Sequence, residues 1–335
     1  MTPRLKWTIV VVAAIVLLGG SLAYAISAFL RFQAVASTAG ERSGPPLTAI
    51  EPGQIVFRST DPGTEYGHVA SVPIGAPGAA RAVAELTCDR VDASAALVSC
   101  LRTQRGIVTR FEWQVLDERF DARWEAPLPG VPSRTRVADD SSYWASTAFV
   151  TGHTYATVGF STATVIVGAD GTEYGNLEDF AFTVNGDSVT SVDRNFWGVT
   201  FVPGTDGFFA TAAAGGRTWL VRGDLGDRTL VAIHDAVECP SLSPDGERIA
   251  FKKPVGEAPT KTWTIAVLDL ATGEEVVLPE SRNVDDQVEW LDDETIVYGL
   301  PRAAAGDSDV WAIAADGGGE PELLIEHAWS PSVVR

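Results

Sequence analysis

The chain has 335 residues, 45 % of them apolar, enough to bury a sizeable core, and disorder is excluded. Its 44 acidic residues against 25 basic ones leave a formal charge of -19, and that field excludes nucleic acid as the main partner. The 32 glycines, 19 prolines and 10 tryptophans suit an all-β chain with many tight turns, and three cysteines are too few for a disulfide-built scaffold.

The first element is apolar. From Trp7 to Leu30 there is no charged residue, while Arg4 and Lys6 precede the run, and this length crosses a ~30 Å hydrocarbon layer as one helix. Ala23-Tyr24-Ala25 has the small-residue spacing of a signal-peptidase site. The run continues through Ile26, Phe29 and Leu30, which favours an uncleaved anchor over a signal segment. The basic flank keeps residues 1–6 in the cytoplasm and sends the rest outside. The expected location is the cell membrane, single-pass, with an extracytoplasmic C-terminal domain, secreted if the segment is cleaved. Residues 31–52, rich in Ala, Ser, Thr, Gly and Pro, read as a flexible linker.

From Gly53 onward, short alternating segments end at Gly, Asp, Pro or Asn. The clearest unit starts at Cys239: CPSLSPDGERIAFKK is a strand, a Pro-Asp-Gly turn and a strand, and TWTIAVLDLATGEEVVLP supplies two more. Four strands in about 45 residues make one propeller blade. Outer hairpins recur at 69–86, 111–124, 163–182, 219–233, 265–278 and 310–325, and inner ones start at Cys88, Ser133, Trp197, Cys239 and Gln287. The missing inner strand is AWSPSVV from Ala328, expected to pair with GQIVFRS from Gly53 and so to close the ring. Residues 53–335 are thus read as a six-bladed β-propeller of four-stranded antiparallel blades.

SPDGERIAF from Ser243 and VLDLATGEE from Val267 resemble the repeat of TolB-like six-bladed β-propellers. With blocks such as GVPSRTRV, NFWGVTF and DDQVEWLDD, the exported portion is similar to membrane-anchored TolB-like proteins of actinobacteria. The resemblance implies a propeller fold and a scaffold-like role. In blades two and three, Asp92–Ala95 and Asp139–Ser142 stand where the Pro-Asp-Gly turn would be.

Cys88 and Cys100 sit at the two ends of the inner hairpin of blade two. A register pairing Val91 with Leu97 sets them opposite each other, close enough for a disulfide in an oxidising compartment. Cys239 reads as a core thiol. His68, His153, His234 and His327 lack metal-ligand spacing, and no G-x-S-x-G elbow is present. Asp285, Asp286, Asp292 and Asp293 form the densest acidic group; calcium stays an alternative there, but the D-x-[DN]-x-[DN]-G pattern is missing, and Asp292-Asp293 reads as an inner turn. Most tryptophans fall within strands, where blade packing uses them.

Aligning the inner strands on their turns brings Arg134 and Gln287 to equivalent positions, with Asn195, Glu238, Asp285 and Asp286 just before them or their counterparts. These residues gather at one channel mouth, a concave rim suited to a polar or charged peptide segment. The expected function is a membrane-anchored extracytoplasmic scaffold that binds an envelope protein or peptide, with no catalytic residue, cofactor or metal assigned. The alternative is a propeller hydrolase or lactonase holding a divalent metal through Glu238, Asn195 and Asp285 or Asp286.

Overall fold

The computed structural model describes residues 3–39, 43–150, 161–256 and 260–335. Helix Pro3–Ala39 includes a span, Pro3–Leu30, long and apolar enough to cross a membrane, although a signal sequence shares those features. Among the described residues, its most apolar stretch is not covered by the rest of the chain.

Six four-stranded antiparallel blades follow. From the axis outward, blade 1 is Ala328–Val334, Gln54–Ser59, His68–Pro73 and Arg81–Thr87, and blade 2 is Arg90–Ala93, Leu97–Gln104, Arg110–Asp117 and Ala122–Pro127. Blade 3 is Val131–Val137, Tyr143–Val150, Ser161–Gly168 and Glu173–Asn176; blade 4 is Asn195–Phe201, Gly207–Ala214, Arg217–Asp224 and Thr229–Asp235. Blade 5 is Glu238–Leu242, Arg248–Val255, Thr262–Asp269 and Glu275–Val277; blade 6 is Glu289–Trp290, Thr295–Pro301, Ser308–Ala314 and Glu322–Ile325. The C-terminal strand closes the ring, with Gln54 opposite Val334 and Ser59 opposite Ala328. Each innermost strand begins at one face of the disc, the entry face, and runs to hairpin turns at the other, the turn face.

Blades pack through apolar side chains between neighbouring sheets. Trp113, Trp124 and Trp144 form a chain between blades 2 and 3, with ring centroids 4.8 and 6.2 Å apart. Between blades 4 and 5 the backbones come so close that only glycine fits at 198: its φ is +66°, and a Cβ there would lie 2.7 Å from the Cα of Cys239. Cys239 is buried and free, and its backbone N–H donates to Thr211 Oγ1 at 2.8 Å.

Three local readings need correction. In blade 2, Val91 faces Cys100 rather than Leu97, and Asp92 faces Ser99. The turn lies at Ser94, whose N–H donates to the Leu97 carbonyl, so Asp92 is a strand residue and not part of the turn. The Cys88–Cys100 disulfide forms nonetheless, with Cα atoms 5.4 Å apart, because Cys88 lies just before the strand instead of on it. In blade 3 the outer hairpin stops at Asn176, which caps the short 3-10 turn Leu177–Asp179. The chain then crosses to blade 4, where Ala181–Val184 adds a parallel strand outside Thr229–Asp235. This crossing buries Leu177, Phe180 and Phe182 among Phe196, Phe208 and Trp219, apolar burial that local turn chemistry does not signal.

The third concerns residues 31–52. The helix runs on to Ala39, and Ser43–Pro46 pairs parallel to Arg81–Thr87 on the outer edge of blade 1. Leu47 and Ile50 are buried, and the Ile50 N–H donates to the Glu118 carbonyl of blade 2 at 2.7 Å. The end of the expected linker is therefore a strap across two blades that covers an otherwise open sheet edge.

Candidate functional site

The channel is built by the innermost strands, on which alternate residues face the axis. At the entry end Arg90 donates to Asp286 Oδ1 at 2.7 Å and lies over the Trp329 ring, 5.2 Å from its centroid. Asp286 is 0 % exposed and also accepts from the Ser330 N–H at 3.1 Å. Its space comes from Gly299, where a Cβ would meet Asp286 Oδ2 at 2.5 Å. Arg134, also buried, donates to the carbonyls of Asp285 and Ser133, each at 2.8 Å, and lies beside the Cys239 thiol. Lys252 donates to Asp285 Oδ1 at 2.8 Å, Lys261 donates to Glu238 Oε1 at 2.9 Å, and the Trp263 ring receives both ammonium groups on its π system.

Two residues deeper, Arg136 forms an ion pair with Glu289 and lies 3.5 Å from Asp92. Asp92 Oδ2 accepts from the Val137 N–H at 2.7 Å. With its oxygen turned inward, the Gln287 amide accepts from Arg136 Nε at 2.8 Å. At the turn face Arg335 lies 3.6 Å from both Asp139 and Glu289.

Burial and neighbouring charge set the protonation of these groups. Burial pushes the Asp92 carboxyl up to about 7, Arg136 only partly offsets it, and Glu289 adds to it. Burial, helped by the Arg134 charge, brings Arg90 down to about 10 against the pull of Asp286. For Asp285 burial opposes ionisation, but Lys252, Arg134 and Arg90 prevail and hold it below the usual carboxylate range. Asp139 moves up, through burial and then Glu289.

The channel is consequently filled by paired charges. Asp286, Asp285, Glu238, Asp92 and Glu289 each meet a cation: Arg90, Lys252, Lys261 or the shared Arg136. Among the described residues no group of three or more His, Cys, Asp or Glu side chains is arranged to hold a metal. A divalent ion at these carboxylates would have to displace buried ammonium and guanidinium groups, so this donor set does not fit one.

No family model matches the sequence, and no curated protein matches it. Among solved structures the chain is similar to TolB from Acinetobacter baumannii, at 15 % identity and a TM-score of 0.55, over 84 % of this chain and 67 % of that one. It is also similar to a chain of the nidogen/laminin complex, at 10 % identity and a TM-score of 0.52, over 83 % and 97 %. The fold is a TolB-like six-bladed β-propeller.

In this TolB-like ring Arg134, Asp285 and Asp286 meet at the entry mouth, and Glu238 sits beside them through Lys261, Trp263 and Lys252. Gln287 faces inward one layer deeper, on Arg136. Asn195 is apart: its Oδ1 accepts from the Thr162 N–H at 2.9 Å and its Nδ2 donates to the Asp193 carbonyl, which staples blade 3 to blade 4. Sequence reasoning missed Arg90, Asp92, Arg136, Lys252 and Glu289. A signal for most of them was present in the two-residue period of CDRVD, SRTRV and QVEW, which puts Arg90 with Asp92, Arg134 with Arg136, and Gln287 with Glu289 on one strand face. Of the histidines, His68 bonds the Ala84 carbonyl, His234 meets Glu275 and His327 meets Asp307, on separate blades; His153 lies outside the described residues. A cleft of about 890 Å³ also opens between blades 4 and 5, with Phe209, Val231, Ile233, Leu242 and Leu270 in its lining.

Proposed function

We propose that this chain is a membrane-tethered, extracytoplasmic binding scaffold that takes a polar or charged peptide segment of an envelope protein at its entry mouth. One observation carries the reading. Asp285 is 67 % exposed at the mouth while the cation that holds it, Lys252, is 4 % exposed beneath it. Lys261 stands nearby at 36 % exposure. The mouth thus presents a solvent-facing charge of each sign on a rigid base, suited to directional recognition of a peptide, whereas the paired carboxylates below offer neither a free general base nor a free metal ligand. The Cys88–Cys100 bridge and the apolar N-terminal helix support an oxidising compartment outside the cytoplasm.

Arg134 and Asp286 are poor probes of binding, because both are buried and hold blades together. Asp285→Asn with Lys261→Gln changes the exposed charges and leaves acceptors and donors for the buried partners. In cross-linked pull-downs from native membranes with the full chain, this double variant should capture roughly tenfold less partner, as expected for a binding hot spot, while a retained cooperative melting transition shows that it stays folded, at a lower temperature because Lys252 and Glu238 each lose a charged partner. Capture equal to the parent would remove the mouth as the site.

A further inference from the structure

The connection between the second and third strands of blade 2, residues 105–109, stands on the entry face and belongs to neither the channel nor the ring closure. Ile107 is fully exposed and Val108 is 70 % exposed. Arg105 and Arg110 flank them, and residues 105–110 contain no acid. Neither arginine forms an ion pair among the described residues, whereas Arg102 just before them is held by Glu112. On the adjacent blade 3, Val131 and Phe149 are cross-strand partners at the same face, and both are exposed.

Isolated apolar tips on a convex loop have no walls with which to enclose a peptide, but they can enter a fluid interface. Guanidinium groups on either side match the phosphate oxygens of lipid headgroups. The chain's own apolar span supplies such an interface at short range. It ends at Leu30, and the propeller begins at Ser43, on the turn-face side of blade 1. The helical stretch 31–39 rises about 13 Å, and three further residues reach at most ~10 Å. That reach is close to the ~26 Å length of an eight-residue strand, so the disc can lie with its entry-face rim at headgroup level. The tether also keeps the loop at high effective concentration over the surface.

We propose that residues 105–110, with Val131 and Phe149 exposed on the same face of the next blade, form a second membrane contact that inserts Ile107 and Val108 among anionic headgroups and tilts the entry face toward the bilayer. The inference rests on the anchor reading. Each arginine brought to an anionic surface strengthens binding roughly fivefold, enough to act locally although the domain as a whole is acidic.

The test uses the full chain carrying Val108→Cys, labelled with an environment-sensitive dye; Cys88 and Cys100 are bridged and Cys239 is buried, so the label goes to the introduced thiol. Vesicles of phosphatidylcholine, with or without phosphatidylglycerol, receive the chain through its helix. A blue shift with a severalfold intensity gain is expected only with phosphatidylglycerol, lost in Arg105→Glu with Arg110→Glu, and absent from a label at Asp316→Cys on the turn face. Flotation separates the two readings. A chain that floats while its Val108→Cys label matches the Asp316→Cys label overturns the loop contact alone; a chain that does not float overturns the anchor and the loop contact together. A shift that requires added membrane protein reassigns the loop to a protein partner and likewise overturns the lipid proposal.

Discussion

Acidic residues do different work at the turn face and in the channel. At the turn face several serve the backbone next to them, and Asp140 and Asp293 accept from a backbone N–H of the adjacent blade, that of Gly204 and that of Asp245. The N–H and hydroxyl of Thr172 hold Asp170 below the usual carboxylate range, and those of Thr272 do so for Asp269. Asp139, Asp140, Asp206, Asp245, Asp292 and Asp293 stand in the inner turns, and the hairpin turns of this face contain few bases beyond Arg119 and Arg228. In the channel the pairs of Asp286 and Glu289 join different blades, whereas Glu238 meets Lys261 of its own blade: Asp286 precedes blade 6 and meets Arg90 of blade 2, while Glu289 of blade 6 meets Arg136 of blade 3. The first arrangement specifies a turn, and the second ties the ring across its axis. Charge excess is tolerable at the turn face because water screens it; inside the ring each charge needs a partner.

The largest effect should come from removing the strand that both closes the ring and carries Arg335. Deleting residues 328–335 takes away the innermost strand of blade 1 and the Ser330 and Ser332 contacts to blade 2 and Asp286. The cooperative thermal transition should be lost, and a deletion variant that melts like the parent would show that the ring does not depend on this closure. Next is Asp286→Ala, which leaves Arg90 without its carboxylate in a buried site and should lower stability by about 3–5 kcal/mol in urea titrations. A loss no greater than that of a surface pair would make the axis as dispensable as the turns.

Asp92 tests the axis by pH. Its folded-state pKa is raised from the ordinary value to about 7 by burial, so between about pH 4 and 7 the folded protein binds a proton that the unfolded chain has released. This group therefore adds stability as pH falls from 7 toward 4 and withdraws it as pH rises. Asp92→Asn should flatten that part of the stability profile, and since Glu289 keeps Arg136 paired, the variant should be at least as stable as the parent at pH 8. A steeper profile in the variant would contradict the burial of a carboxylate there.

The smallest effect belongs to the turn face. Asp245 accepts from the Glu247 N–H at 3.0 Å and pairs with Arg248 at 3.1 Å in a partly exposed turn. Asp245→Ala should cost about 1 kcal/mol, the worth of a typical hydrogen bond, at neutral pH and leave the slope between about pH 4 and 7 unchanged; because burial is outweighed by Ser243, Glu247 and Arg248, which hold the Asp245 carboxyl below the usual range, that loss should shrink only as pH falls below about 4. A loss matching that of Asp286→Ala would erase the distinction between the two regions.

The hairpins were legible because they are local: Pro244, Asp245 and Gly246 specify their turn within a few residues, and alternation supplies the strands on either side. Closure by Ala328–Val334 could also be read, since an unpaired inner strand at one end and an unpaired second strand at the other leave one economical pairing. Blade 2 misled because Asp92 is a turn residue by composition; Arg136 and the Val137 N–H, from the next blade, make it a strand residue. Asn195 misled in the opposite way, as its position suggested the channel while Thr162 of the neighbouring blade claims its side chain.

The sequence by itself determined the apolar N-terminal helix, the repeat, the number of blades and the way the ring closes, because each depends on periodicity and turn chemistry within some tens of residues. Tertiary structure alone decided which charges pair across the axis, which strand caps blade 4, and how residues 43–50 strap blade 1 to blade 2. Those contacts join residues far apart in the chain, up to 196 positions for Arg90 and Asp286. Their energy comes from burial that exists only once the ring has closed.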